Sequence, residues 1–198
     1  AHAAEKVAAG METSIWSGVN ATAGEFAGIM TQLTTDASLP AAQEVAGTTV
    51  DASNVIAELG KIVDACPAAL YGKEDLTLYV SNNIYRAYVR ALGGFAASGV
   101  GANGYDNKGT NQVLGDLYFD GVRVFMANGL ASNKALLAQK SNLYFATGLL
   151  NDMNEVKVLD MGDIDGSQNV RVILRFSADA KYGFASDVVT YGITNSAN

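Results

Sequence analysis

Apolar residues recur along this chain at two different spacings, and the change between them divides it. Val7, Met11 and Ile15 fall every four residues, with Glu5, Lys6 and Glu12 on other faces. That spacing predicts an amphipathic helix ending near Gly18. "GEFAGIMTQL" continues the apolar vein through Phe26, Ile29, Met30 and Leu33, and "TTDASLPAAQEVAGTT" reads as a connector rich in turn residues. A second helix follows, with Asp51 and Ser53 as candidate N-caps. Val55, Ile56, Leu59, Ile62, Val63 and Cys66 mark one face of it, and Pro67 closes it. "LTLYVS" alternates and reads as a strand. Ser81 or Asn82 then caps a third helix, "NIYRAYVRAL", with Ile84, Tyr88 and Leu92 on one side, which Gly93-Gly94 stops.

Beyond Gly93 the period shortens towards two. "LGDLYFDGVRVFMANGL" reads as strand, Asp120-Gly121 turn and strand, a strong short-range hairpin signal. "ALLAQKSNLYFATGLL" adds an apolar strand and a return segment. "NEVKVLDM" and "NVRVILRFSADAKYGFASDVVTYGI" supply long β-rich segments. A chain helical early and mostly strand late points to an α+β fold rather than alternating βαβ units. No internal repeat is present.

Composition narrows the function classes. The 198 residues are 49% hydrophobic and only 17% charged, which bounds one domain or two small ones with a real core and excludes a disordered chain. A net charge of -7 argues against a grip on a nucleic-acid backbone. No apolar run approaches the roughly 18 residues of a membrane span. One cysteine, Cys66, excludes an internal disulfide and reads as a small buried apolar residue. One histidine, His2, leaves no material for a Cys/His zinc site or a Ser-His-Asp triad. The chain starts "AHAAEKVAAG", without an initiator Met and already in a helical pattern, so a truncated or processed chain is expected.

Four motifs invite chemistry. Gly99, Gly101 and Gly104 have dinucleotide-binding spacing, but they follow a helix and lead into "YDNKGTNQ". That motif needs a strand before it and a helix after it, so "GGFAASGVGANGYDNKGTNQ" reads as a mobile loop. Tyr85 and Tyr88 beside Arg86 and Arg90 suggest a stacking surface for nucleic acid, but in an acidic chain they read as an amphipathic helix with its aromatics inward. "VLDMGDIDGSQNV" holds Asp160, Asp163 and Asp165. Set against a calcium loop with Gly166 sixth, it has Met161 first and Val172 twelfth, where ligands are required. It reads better as a polar bend between two strands. "NAT" at Asn20 is a sequon of the kind that arises by chance. No catalytic residue, cofactor or metal ligand is assigned.

The order of these segments resembles the C-terminal two-thirds of a tailed-bacteriophage major capsid protein of the Hong Kong 97 type. The carriers are "LTLYVS" leading into "NNIYRAYVRAL", the hairpin "FDGVRVFMANGL", the segment "KSNLYFATGLL" and the closing "RVILRFSADAKYGFASDVVTYG". The resemblance implies an α+β capsid fold in three parts. Residues 1–44 would end the spine helix and begin its return, 45–140 would form an axial domain, and 141–198 would supply peripheral-domain strands. The glycine-rich loop would then lie at the capsomer axis, with Gly99, Gly101, Asn103, Gly104, Tyr105 and Lys108 as its residues.

The family's N-terminal arm and extended loop have no counterpart here, so the chain by itself is not expected to build a shell. The resemblance further implies a structural, non-enzymatic protein in the virion, made in the bacterial host cytoplasm. Its partners would be copies of itself in pentamers and hexamers around packaged DNA, with scaffold, portal or decoration proteins in addition. It implies no sequence-specific nucleic-acid binding and no membrane. An encapsulin-type nanocompartment shell is an alternative within the same fold. A small α+β enzyme or binding module with a metal at Asp163 and Asp165 is an alternative of another class.

Overall fold

The computed structural model describes residues 2–21, 24–92, 117–148, 155–161, 166, 170–175 and 177–197. Four α-helices are described: α1 (His2–Ser17), α2 (Ile29–Leu33), α3 (Val55–Asp64) and α4 (Asn82–Ala91). The strands are β1 (Glu44–Val45), β2 (Leu76–Val80), β3 (Leu117–Phe119), β4 (Val122–Met126), β5 (Ala135–Gln139), β6 (Leu143–Thr147), β7 (Glu155–Asp160), β8 (Val170–Arg175), β9 (Ala178–Tyr182) and β10 (Val188–Tyr191).

Six of these strands form one mixed sheet in the order β1-β10-β5-β2-β4-β3. β1 runs parallel to β10 and β2 parallel to β4, while the β10–β5, β5–β2 and β4–β3 pairs are antiparallel. Strand side chains alternate between faces, so a strand covered on both sides is apolar almost throughout. β2, "LTLYV", is buried at all five positions for this reason. Leu76, Leu78 and Val80 meet α3 and α4 through Leu59, Ile62, Ile84 and Tyr88. Tyr79 faces the other way, into a second core with Trp16, Met30, Leu33, Leu136 and Val188. The architecture is therefore α+β in three layers: α3 and α4, the sheet, and a layer built from α1, α2 and the β6–β9 ribbon. Each fully buried Leu or Val contributes roughly 1.5–3 kcal/mol.

The hairpin expected at Asp120-Gly121 forms, with Phe119 opposite Val122. Both turn residues have positive φ, 51° and 79°, as a two-residue turn matching the strand twist requires. α4 carries Tyr85 and Tyr88 inward and Arg86 and Arg90 in solvent, as its amphipathic reading expects. α3 departs from expectation at one position. Ile56 is 50% exposed, and Glu58 occupies the buried face instead. The polar partners of Glu58, described below, make that burial tolerable. α3 also starts later than the candidate caps. Asp51 accepts the backbone N–H groups of Ser53 and Asn54 at 2.8 and 3.2 Å, which shapes the turn before the helix.

The late β-rich run is divided more finely than its pattern suggests. β7 and β8 pair antiparallel, with Asp160 opposite Val170. β9 pairs with β6, and β10 leaves them to enter the main sheet. α1 is seated on the 127–130 turn at close range. Ser17 donates to the Gly129 carbonyl at 3.2 Å, and Glu12 accepts the Asn128 N–H at 3.0 Å. A β-carbon at Gly129 would collide with the Glu12 carbonyl oxygen, so only glycine fits beneath the helix.

Candidate interaction surface

The capsomer-axis residues expected from the sequence, Gly99, Gly101, Asn103, Gly104, Tyr105 and Lys108, lie outside the described residues, as do Asp163 and Asp165. The bend that carries those two aspartates is described at Met161 and at Gly166, whose φ of 71° is a turn conformation. The described chain brackets the glycine-rich stretch: it stops at Leu92 behind α4 and resumes at Leu117 on β3, one of the two edge strands of the sheet among the described residues. Tyr88 of α4 donates its hydroxyl to the Tyr118 carbonyl at 2.7 Å, which occupies an acceptor of that edge.

A groove of about 500 Å³ opens beside this edge. One wall is the β3–β4 hairpin, with Tyr118, Asp120 and Arg123. The other is the 71–77 segment, with Tyr71, Lys73 and Glu74, and Lys140 completes the lining. Tyr71 and Tyr118 are 50% and 56% exposed, so both rings present apolar surface to water. The groove is also held in shape. Tyr71 donates its hydroxyl to the Asp120 carbonyl at 2.9 Å, tying the two walls together. Lys73 donates to Gln139 Oε1 at 3.2 Å, and Gln139 in turn donates to Asp75 at 2.7 Å. Asp75 also accepts the Ser141 hydroxyl at 2.5 Å. The Ser141 and Gln139 bonds hold the Asp75 carboxyl below the usual carboxylate range. Sequence reasoning finds the hairpin wall from Asp120-Gly121. It misses the groove, because residues some fifty positions apart form its two sides.

A second exposed aromatic group lies on the β6–β9 ribbon. Tyr144 and Phe184 are more than half exposed. The turn bearing Phe184 is fixed by one buried side chain. Asn142 Oδ1 accepts the Gly183 and Phe184 N–H groups at 3.1 and 2.8 Å, and its Nδ2 donates to the Phe184 carbonyl at 2.9 Å.

The buried titratable groups are engaged in structure. Glu58 Oε1 accepts from Lys61 Nζ at 2.7 Å, and Glu58 Oε2 accepts from the Tyr191 hydroxyl at 2.9 Å. Lys61 is the main reason its carboxyl titrates below the ordinary range; burial opposes the shift and the Tyr191 bond adds to it. Asp36 accepts the Tyr182 hydroxyl at 2.6 Å, which lowers the Asp36 carboxyl. Burial, with Asp36 beside it, raises Tyr182. Burial pushes the half-buried Cys66 thiol up, against thiolate reactivity. Among the described residues, no group of three His, Cys, Asp or Glu side chains is placed to hold a metal ion. No described helix is long and apolar enough to cross a membrane.

No protein-family model matches this sequence, and no curated protein sequence matches it either. Solved structures do. A chain from Mycobacterium phage Che8 aligns with a TM-score of 0.51 at 14% identity, over 78% of this chain and 55% of that one. A chain from a satellite phage P4 procapsid including size determination (Sid) protein aligns with a TM-score of 0.60 at 7% identity, over 94% and 60%. A chain from the capsid of an empty GTA particle aligns with a TM-score of 0.58 at 14% identity, over 98% and 64%. This chain thus spans between 55% and 64% of the length of those three. What is shared at these identities is the fold, and the fold is one that phage capsid structures use.

Proposed function

We propose that this chain belongs to the major shell subunit of a tailed bacteriophage, with a Hong Kong 97-type fold. In the intact protein it forms pentamers and hexamers of an icosahedral head around packaged DNA. The observation that carries the reading is a mixed-sheet α+β fold shared, over nearly the whole chain, with chains of a procapsid and a capsid. The surface supports it as well. A shell subunit spreads its binding energy over broad contacts, and this one exposes Tyr71, Tyr118, Tyr144 and Phe184 on fixed elements.

In this reading residues 45–140 form the axial domain. Residues 1–44 carry the end of the spine helix and its return, and 141–198 the peripheral strands, with β10 tying that last part into the main sheet. The loop bearing Gly99, Gly101, Asn103, Gly104, Tyr105 and Lys108 faces the capsomer axis. The subunit is made in the host cytoplasm and ends in the virion, where scaffold, portal or decoration proteins are its further partners.

Electron microscopy of the full-length protein tests the proposal. Rings of five and six subunits, or closed shells, are expected. Monomers alone across a range of salt, pH and concentration overturn it.

A further inference from the structure

We infer that β6 accepts an extended segment of a different protein as an added strand, along the free edge of the β6–β9 ribbon. This role goes beyond the shell reading and stands without it. The register decides which backbone groups that edge offers. Gly183 N–H donates to the Asn142 carbonyl at 2.9 Å, and Gly148 N–H to the Ser177 carbonyl at 3.4 Å. Antiparallel pairs alternate between hydrogen-bonded and non-bonded. Leu143 opposite Tyr182, Phe145 opposite Ala180 and Thr147 opposite Ala178 are therefore the non-bonded pairs. Their backbone groups point out of the ribbon, on β6 and on β9 alike. β9 is sealed along its outer edge: the Ala180 carbonyl accepts from Gln32 Nε2 at 2.8 Å, and the Ala180 N–H donates to Asp179 at 2.9 Å. On β6 the Lys140 carbonyl takes the Leu143 N–H. The N–H and C=O groups of Phe145 and Thr147 have no such partner among the described residues.

The other free edges of the described chain are protected by shortness, charge or a covering group. β1 is two residues long; β3 is three, and its Tyr118 carbonyl is taken by Tyr88. β7 and β8 carry Lys157, Asp160 and Arg171. β6, "LYFAT", is five residues long without a charge or a proline. Its Tyr144 and Phe145, on opposite faces, are 57% and 47% exposed. A two-stranded ribbon is stabilised by a third strand. An edge of outward N–H and C=O groups is matched by another extended backbone, with flanking side chains supplying specificity. This chain has no such strand to spare. Its uncharged strands of similar length, β2, β5 and β10, are buried inside the main sheet. A second copy offers no described uncharged strand but β6 itself, and it brings a second net charge of -7 against the first. The occupant is therefore an apolar, uncharged or basic extended segment of another protein.

The test titrates the full-length protein with a fluorescent peptide of about ten residues, alternating threonine and valine with a lysine at each end, long enough to form one strand. Saturable binding is expected, with the Phe145 and Thr147 amides newly protected from hydrogen exchange. The same peptide N-methylated at alternate residues cannot donate along one side and should bind about tenfold more weakly. Phe145→Pro removes an outward N–H and no ladder bond, the placement in which a strand tolerates proline, and should weaken binding by a similar factor. Phe145→Lys keeps the backbone, sets a charge on the edge and should do the same if the proline variant does not fold. No binding, equal binding of the N-methylated peptide, or protection elsewhere overturns the inference. So does protection of 145 and 147 in dilute protein without peptide, which gives the edge to this chain itself, or protection that grows with protein concentration, which gives it to a second copy. None of these outcomes bears on ring or shell formation, which electron microscopy decides separately.

Discussion

Glu58 is the side chain on which local sequence and tertiary structure disagree most. It stands at a helix position whose neighbours in the pattern are apolar, and it is buried. The Tyr191 hydroxyl resolves the conflict from the far side of the core, and Thr48 N–H in turn donates to that hydroxyl at 3.1 Å. Tyr191→Phe keeps the ring and removes both bonds, so it should cost about 1–3 kcal/mol in urea unfolding. The pH dependence has a definite sign. Glu58 and Asp36 both titrate lower in the folded chain than in the unfolded one. Their contribution is therefore present above the ordinary carboxylate range and is lost as pH falls through the lowered folded values. Tyr191→Phe brings Glu58 back towards its ordinary value. Acid unfolding followed by circular dichroism should then begin at a higher pH than in the parent; an unchanged acid midpoint would remove the role given to this bond.

The seating of α1 depends on a small residue in another element. Gly129 lies under the Glu12 carbonyl, and Trp16 beside it packs 5.0 Å from the Tyr79 ring. Gly129→Ala should lift the end of α1 at a cost of about 1–3 kcal/mol. Trp16 is the only tryptophan, so its emission reports the event directly. A shift to longer wavelength is expected, and unchanged emission would show that α1 is held by something else. Elements differ in how far the sequence discloses them. The Asp120-Gly121 hairpin and the α4 face were legible because their signals are local: two turn residues that accept positive φ, and a 3.6-residue period. The exposure of Ile56 was not legible, because it depends on Glu58 finding Tyr191 more than a hundred residues away. The pairing of β1 with β10, and of β10 with β5, is likewise a long-range choice that no window of sequence encodes. The groove beside the hairpin falls between these cases, with one wall visible as a hairpin and the other contributed by the 71–77 turn.

Taken as a molecule, the chain is a sheet whose strands come from both of its halves, clad by helices on one side and by helices and a ribbon on the other. Tyr71, Tyr118, Tyr144 and Phe184 are half exposed or more, on a molecule whose net charge is -7. β10 lies inside the sheet, between β1 and β5, and contributes Val188, Val189 and Tyr191 to the two cores. A version stopped after residue 184 should therefore lose cooperative thermal unfolding altogether, while one stopped after 195 should keep it; calorimetry separates the two outcomes. The same placement bears on synthesis. While a ribosome is still making the chain, β5 has an unpaired edge and β1 has no neighbour until residues 188–191 emerge. The groove residues from Tyr71 to Lys140 are translated well before that moment, but the sheet that supports them is completed only then. A nascent chain thus carries an open β5 edge until residues 188–191 emerge, and the sheet is completed only with that strand.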